Sequence, residues 1–379
     1  MDACSFIKEA QRIVIKIGSA ILIDEKQNQI RRAWLEKLSY HIAGWYRAGK
    51  EVIIVSSGAI ALGRRHLNLM EMNLKLEEKQ AAASLGQIRL SHAYQEIFET
   101  YNIPIAQILL TLSDTEQRRH HLNARSTMMT LLKLKVIPVI NENDAVATAE
   151  IRFGDNDRLA ARVAAMTSAN ILILLSDIDG LYDRDPKLYK DATLISEVQE
   201  ITPSIEAMAG EALPGYSSGG MITKLAAAKI ATQAGCHMII ANGRLDNPLA
   251  ALEQGCSCTT FIAQSEPITA RKKWISGSLK PMGSIVLDMG AINALRLGKS
   301  LLPAGITKII GSFERGDAVV LLDPNHQEIG RGLVAYSTKD ANLIIGCQTQ
   351  EIEKILGYRG RDEMIHRDNL VLYQGKNNG

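Results

Sequence analysis

The sequence predicts an α/β fold: a mostly parallel sheet covered by helices on both faces, followed by a small β-rich domain. Three observations support this. Through the first two-thirds of the 379 residues, continuous apolar runs alternate with amphipathic stretches. Runs of that kind belong to sheets buried on both faces, which means parallel strands joined by helical crossovers. The apolar runs also end repeatedly in small polar residues. Near residue 270 the pattern gives way to short strand-like runs punctuated by glycine and aspartate.

The elements follow in order. "RIVIKI" (Arg12 to Ile17) reads as a buried strand. "RRAWLEKLSYHIAGWYRAG" has apolar residues at helical spacing and stops at Gly49, and "EVIIVSSGAI" is a strand that ends at small residues. "LEEKQAAASLGQIRLSHAYQEIFETY" is a long helix. "IPIAQILL", "VIPVI" and "NILILLSD" are further strands, "MITKLAAAKIATQAG" is a helix ended by Gly235, and "CHMIIANG" is another strand. "ARKKWISGSLKPMGSI" is basic, then rich in glycine and proline, and reads as a linker. Beyond it, "GSIVLD", "GDAVVLLD", "IGRGLVAYS" and "DNLVLY" alternate with helical "GAINALRLG" and "TQEIEKILG". That is a small β-rich domain of about 90 to 100 residues.

Composition excludes several classes. Lys plus Arg number 43 against 41 Asp plus Glu, a formal charge of +2, so nothing global marks a polyanion binder. Aromatic residues make up 5%, which argues against base stacking as the main business. Five cysteines, with only Cys256 and Cys258 close in sequence, fit a reducing cytosol better than a disulfide framework, and the expected location is cytoplasmic. "RIVIKIGSAILI" is interrupted by Lys16 and Gly18, so it is not read as a signal segment. No window of 18 uncharged apolar residues is present, and no membrane span is expected.

In such sheets ligands bind beyond the carboxyl ends of the strands. Five segments should therefore open on one edge: "KIGSA", "SSGAI", "NENDAV", "SDIDGLYDRDP" and the loop before "GGMITK". "SSGGMITK" joins small residues to a helix start and puts Lys224 in the first turns, where backbone N–H groups and the helix dipole favour an anion. It is not a G-x-x-x-x-G-K-[ST] loop. Lys16 lies inside an apolar strand, so its head group must reach the strand's end. "SDIDGLYDRDP" lacks the calcium-loop spacing, the histidines show no H-E-x-x-H pair, and Ser56 and Ser57 lie in no G-x-S-x-G elbow. "NENDAVATAEIRFGDNDRLAA", residues 141–161, packs Glu142, Asp144, Glu150, Asp155 and Asp157 around Gly154. Taken alone, such a loop is either a solvated acidic surface or a site for an amine or for lysines. Its start at a strand end, opposite two candidate lysines, favours the site.

Together, "VIKIGSA", "IIVSSGAI", "PVINENDAVATAEIRFGDND", "LLSDIDGLYDRDP" and "GGMITKLAAAKIA" resemble, in order and spacing, the motifs of the amino acid kinase family. "SLLPAGI", F-x-R-G-D and the closing "GY…IHRDNLVLY" resemble a PUA domain. The resemblance implies a kinase domain over residues 1–265, a linker over 266–280 and a PUA-like domain over 281–379. It implies phosphoryl transfer from ATP, with Mg²⁺ held mainly by the ATP phosphates, to the side-chain carboxylate of L-glutamate, the first step of proline synthesis. Acetylglutamate, aspartate or carbamate are the acceptors of other family members, and the acidic loop favours a free amine over an acetylated one. By motif, Lys16 and Lys224 would stabilise the transferring group and Asp157 would orient them. Ser57, Gly58, Asp144, Asp155 and Asn156 would bind the acceptor. Lys16, Ser176, Asp177 and the run Ser218, Gly219, Gly220, Met221, Ile222, Thr223 and Lys224 would bind ATP. The family also implies a dimer or tetramer and inhibition by proline. RNA binding through the PUA-like end is not expected, since no strong basic stripe is present. Ala20, Ser176 and Ile222 depart from the family's usual hydroxyl, Thr and small polar residue; none removes a charge that the chemistry needs.

Overall fold

The structure is a computed structural model. It describes residues 2–24, 27, 29–69, 74–146, 156–209, 220–277 and 280–373, and divides into two compact units, Met1–Pro267 and Ile268–Gly379.

The first unit is built on eight strands: β1 (Arg12–Ile17), β2 (Glu51–Ser56), β3 (Ile105–Leu110), β4 (Ile137–Glu142), β5 (Ile171–Ser176), β6 (Glu197–Val198), β7 (His237–Asn242) and β8 (Cys258–Phe261). Their order across the sheet is β3-β4-β2-β1-β5-β7-β8-β6. The six strands from β3 to β7 are mutually parallel. At the far edge β8 runs antiparallel to β7, and the short β6 pairs parallel with β8. The sheet is mostly parallel, as expected, and Lys16, Ser56, Glu142 and Ser176 all fall at the carboxyl ends of their strands.

Six helices of this unit bear on the site: α1 (Arg32–Arg47), α2 (Ala59–His66), α3 (Leu76–Glu99), α4 (Arg118–Lys133), α5 (Asn156–Thr167) and α6 (Met221–Gln233). They cover both faces, and the period of two along each strand decides which face a side chain meets. On β1, Ile13, Ile15 and Ile17 pack with Leu35 and Leu38 of α1 and with Leu90 and Tyr94 of α3. Val14 packs on the opposite face, with Met128 of α4, Leu159 and Val163 of α5, and Ala227 and Ala231 of α6. Lys16 shares the parity of Val14 and so points to the α5–α6 side. Ser56 and Asn141 share the parity of Ile54 and Val139, which pack on the α1–α3 side.

Two helix contacts are unusually close. A Cβ on Gly63 would land inside the carbonyl oxygen of Ala82, and one on Gly86 inside that of Ala59, so α2 and α3 cross backbone to backbone. Between α5 and α6 the buried residues include Ala160, Ala161 and Ala164 facing Ala227, Ala228 and Ala231. Small side chains let these axes approach, and that brings the first turns of both helices together. Gly58 caps α2 at φ 109°, a left-handed conformation that favours glycine.

Within the stretch expected as a linker over 266–280, where the two units divide, α7 (Pro267–Gly277) is helical, with Ile275 fully buried. The physical reason lies in where the special residues sit. Pro267 occupies the first helical position, where its fixed φ suits a helix start, and Gly277 is the last. The prolines and glycines punctuate a helix rather than loosen a chain.

The second unit carries a five-stranded sheet from β9 (Gly283–Leu287), β10 (Ile306–Gly311), β11 (Ala318–Leu322), β12 (Glu328–Leu333) and β13 (Leu370–Leu372), in the order β10-β9-β11-β12-β13. Only β9 and β11 pair in parallel. Ile285, Leu287, Val319, Leu321, Phe313 and Ile344 form its core. Among the described residues no helix is long and apolar enough to cross a membrane.

The α2–α3 crossing predicts opposite outcomes for two glycine substitutions. Gly63→Ala must push two backbones apart and should lower stability by about 1–3 kcal/mol. Gly44, inside α1, has nothing within 4 Å of the point where a Cβ would stand, so Gly44→Ala should raise stability by about 0.5–1 kcal/mol. Urea unfolding midpoints of the two variants check the pair; a Gly63→Ala protein as stable as the parent would show that the crossing is not that close.

Candidate active site

Three charges meet beyond the end of β1. Lys16 Nζ lies 2.6 Å from Asp157 Oδ1, and Lys224 Nζ lies 3.3 Å from Asp157 Oδ2. Asp157 is fully buried and both lysines are buried. Each residue arrives from a different element: Lys16 from β1, Asp157 from the first turn of α5, Lys224 from the first turn of α6. Thr223 completes the group by donating its hydroxyl to Asp157 Oδ2 at 3.1 Å. Burial pushes the Asp157 carboxyl up, but the charges of Lys16 and Lys224, with their hydrogen bonds, outweigh it and hold the group below the usual carboxylate range. Burial lowers the Lys224 ammonium below its ordinary value; Asp157 opposes that and Lys16 adds to it, while the more distant Asp177 helps keep the charge.

The arrangement has a chemical consequence. The two ammonium groups and the carboxylate lie at the start of two helices, whose dipoles are positive at that end. Gly220 stands extended before α6, so the first-turn N–H groups face the same region. An anion is what such a site lacks.

A second cluster lies beside it, at the ends of β2 and β4. Asn156 Nδ2 donates to Ser57 Oγ at 2.6 Å and to Asn141 Oδ1 at 3.1 Å. The Ser57 N–H continues the ladder by donating to the Ile17 carbonyl at 3.1 Å, which ties this loop to the end of β1. Gly58 follows in its left-handed conformation, where a Cβ would press on Ile23. Because Ser57 Oγ already accepts from Asn156, its own hydrogen is directed elsewhere. Asn156 Oδ1 is closed off from solvent and has no hydrogen-bond partner among the described residues.

Asp144 sits in the turn after β4. It is half-buried, and burial pushes its carboxyl up to about 6. No ion pair or hydrogen bond to it is present among the described residues. A buried carboxylate without a counter-charge is costly, and the sign is clear. With a folded-state value above the unfolded one, its contribution to stability is present below pH ~4 and lost as the pH rises through about 6. A ligand cation would reverse that.

A third cluster closes the ends of β5 and β7. Ser176 Oγ donates to Asp177 Oδ1 at 3.2 Å, and the Gly243 N–H donates to the Ser176 carbonyl at 2.7 Å. Asp179 accepts from Asn242 Nδ2 at 2.9 Å and from the Tyr182 hydroxyl at 3.0 Å. Met221 is half-buried and Ile222 is 43% exposed on the first turn of α6. Ala20 is exposed on the short helix Ser19–Leu22 after Gly18.

The structure thus brings Lys16, Asp157, Thr223 and Lys224 into one contact group, Ser57 and Asn156 into a second, and Ser176 and Asp177 into a third. Asp155, Ser218 and Gly219 lie outside the described residues. Sequence reasoning passed over Asn141 as a contact, and also Gln87, Tyr94, Asp179, Asn242 and Tyr182. Gln87 had a signal: it falls in the stripe Ala83, Gln87, Leu90, Tyr94 that α3 buries, where a glutamine needs a partner.

A model of the amino acid kinase family matches residues 11–242. The chain belongs to that family. A PUA domain model matches residues 283–356, within the second unit. Among curated proteins, one named glutamate 5-kinase from Paramagnetospirillum magneticum is 59% identical over 363 residues, spanning 96% of this chain and 98% of its own length. Proteins of the same name from Rhodopseudomonas palustris and Nitrobacter winogradskyi are each 56% identical over 366 residues, spanning 97% of both chains. The amino acid kinase match covers all three contact groups, and all of them precede the PUA match.

Removing the central carboxylate should expose the cost of the triad. Asp157→Asn leaves two buried ammonium groups facing each other, an expected loss of about 3–5 kcal/mol. Lys224, whose ammonium burial already lowers, would then lose the opposing carboxylate, so the deficit should shrink as the pH is raised and it sheds its proton. Denaturant melts at neutral and alkaline pH measure this; a deficit independent of pH would mean that charge is not its cause.

Proposed function

We propose that the chain transfers the γ-phosphoryl group of ATP to the side-chain carboxylate of L-glutamate, giving ADP and L-glutamate 5-phosphate, a reaction that would open proline synthesis in the cytoplasm. The observation that carries this reading is the buried Lys16–Asp157–Lys224 group at the starts of α5 and α6. The names of relatives that match nearly the whole chain support the choice of acceptor.

The chemistry suits the inventory. The acceptor carboxylate has a reference pKa of ~4.3 and is ionised at neutral pH. It attacks the γ-phosphorus, a new O–P bond forms, the bond to the β-phosphate oxygen breaks, and ADP leaves. No general base is needed. The protein's part is positioning and charge neutralisation. Lys16 and Lys224 take up charge on the transferring group, and Asp157 keeps both head groups in place. Magnesium, when bound with the nucleotide, shares the charge of the phosphates. Both Asp157 oxygens are engaged by ammonium groups, so in this reading the magnesium ion is held mainly by the ATP phosphates. Ser176, Asp177, Gly220 and the first turn of α6 would hold the nucleotide. Asp144 and Asn156 Oδ1 would meet the α-ammonium group, and the Ser57 hydroxyl would donate to a substrate carboxylate. We assign this chemistry to residues 1–265, apart from the PUA-like residues 281–379.

ADP release measured across glutamate, acetylglutamate, aspartate and carbamate tests the assignment, and turnover confined to acetylglutamate, aspartate or carbamate would overturn it. Lys16→Ala and Lys224→Ala should each lower kcat by ~100-fold or more while the protein stays folded. The same assay in millimolar proline should show a raised apparent KM for glutamate, the inhibition that the family resemblance implies.

Asp144 adds a pH signature. Below about 6 its carboxyl is neutral in the free protein and cannot pair with an ammonium group. The ratio kcat/KM for glutamate should therefore fall as the pH drops through that value. Asp144→Asn should raise the glutamate KM, leave the ATP KM unchanged and flatten the acid limb. A limb of the same shape in the variant would assign it to another group.

A further inference from the structure

One polar feature of the first unit has no part in the chemistry described so far. Along α3, an otherwise apolar buried stripe carries Gln87, Ser91 and Tyr94, at spacings that put them on one face of a helix. They meet three strands. Tyr94, fully buried, donates its hydroxyl to Ser56 Oγ at 3.0 Å, at the end of β2. Ser91 donates to Gln107 Oε1 on β3 at 2.6 Å. Gln87 Oε1 accepts from Asn141 Nδ2 at the end of β4, at 2.8 Å, and Gln87 Nε2 donates to Ser91 Oγ at 3.2 Å.

The polarity of this chain is forced. The backbone N–H of Glu142 donates to Asn141 Oδ1 at 2.8 Å. A backbone N–H can only donate, so the Asn141 oxygen must point that way and its amide nitrogen must point to Gln87. The same oxygen then accepts from Asn156 Nδ2, which fixes the Asn156 amide and leaves Asn156 Oδ1 as the atom turned away, closed off from solvent and without a partner among the described residues. An acceptor so placed fits an incoming N–H donor. The helix that presents Gln87 is itself located by the backbone contact at Gly86, one residue earlier. The relay thus starts from a rigid crossing and ends on an atom that lacks a partner.

We propose that Gln87 is a positioning residue for acceptor recognition: through Asn141 it holds the Asn156 carbonyl oxygen in place to accept from the ammonium group of the amino-acid substrate. This rests on the reading of the site as one for glutamate. Gln87 touches neither substrate nor phosphate. It supplies the acceptor that keeps the buried Asn141 amide nitrogen satisfied. Without it, that nitrogen must turn to find another partner, because a buried donor left unpaired is costly. Asn156 then loses the oxygen against which its own amide is set.

The test separates recognition of the amine from general damage. Gln87→Met keeps the length of the side chain and removes the hydrogen bonds. The variant should raise the glutamate KM by about tenfold, the effect of one buried hydrogen bond, with the ATP KM within about twofold. Glutarate, the same diacid without the amine, serves as a competitive inhibitor, and its inhibition constant should stay within about twofold of the parent's value, because it has no ammonium group for Asn156 to meet. Equal weakening of glutamate and glutarate would mean a structural role only and would overturn the proposal, as would an unchanged glutamate KM. Should Gln87→Met fail to fold, Ser91→Ala interrupts the relay at its half-buried position; the expected glutamate KM rise is about two- to threefold with glutarate unaffected, and no rise sinks the idea. A parent protein inert towards glutamate would overturn the functional reading and this inference with it, whereas an active parent with an unaltered variant overturns the inference alone.

Discussion

A carboxylate with no solvent exposure, Asp157, is the constraint to which the catalytic edge of the first unit answers. Moving any ion out of water costs several kcal/mol, and mutual attraction recovers that only when the geometry is good. Here three ions are moved, two of one sign. The geometry that makes this tolerable is specific: two ammonium groups on separate oxygens of one carboxylate, with the Thr223 hydroxyl on the second oxygen. Such a group holds only if three elements are fixed relative to one another. The close approach of α5 and α6 through alanines on both helices, and the central place of β1 between β2 and β5, supply that fixity.

The sheet separates two tasks by the parity of its strands. Even-numbered positions of β1 face α5 and α6, so Lys16 reaches Asp157. Ser56 and Asn141 have the parity that faces α3, so the hydroxyl and amide groups at the ends of β2 and β4 are held from the other face. Asn156 joins the two halves. It begins α5, one residue before the carboxylate that holds the lysines, and its amide spans to Ser57 and Asn141. The Ser57–Asn141 cluster and the charged group are therefore mechanically linked through one helix start.

Polar groups in the second cluster are incompletely matched, and the mismatch is informative. Buried polar atoms in folded proteins are nearly always paired. Asn156 Oδ1, enclosed and unpaired among the described residues, is an exception, and the half-buried Asp144 has its carboxyl pushed up to about 6. Both are acceptors, and an ammonium group would suit both. This favours a free amino acid over an acylated one on physical grounds, since an amide N–H brings one donor and no charge where the site presents an acceptor and an anionic carboxylate.

Sequence alone determined the alternation of strand and helix, the mostly parallel sheet, the small β-rich second domain, and the charged residues of the site. These were legible because they rest on local rules: apolar periodicity, helix-ending glycines such as Gly49 and Gly235, and lysines placed where a solvated reading is strained. Within the stretch 266–280 it missed the helix Pro267–Gly277, because proline and glycine signal a helix boundary and a loop with the same letters. Only the tertiary structure decided the rest. That Asp157 divides its oxygens between Lys16 and Lys224, that Gln87 answers Asn141 across 54 positions of chain, and that Asn156 is left with an open acceptor are all consequences of packing between distant elements. The orientation of an amide or a carboxylate is set by which partners surround it, and periodicity along a chain carries no information about partners brought from elsewhere.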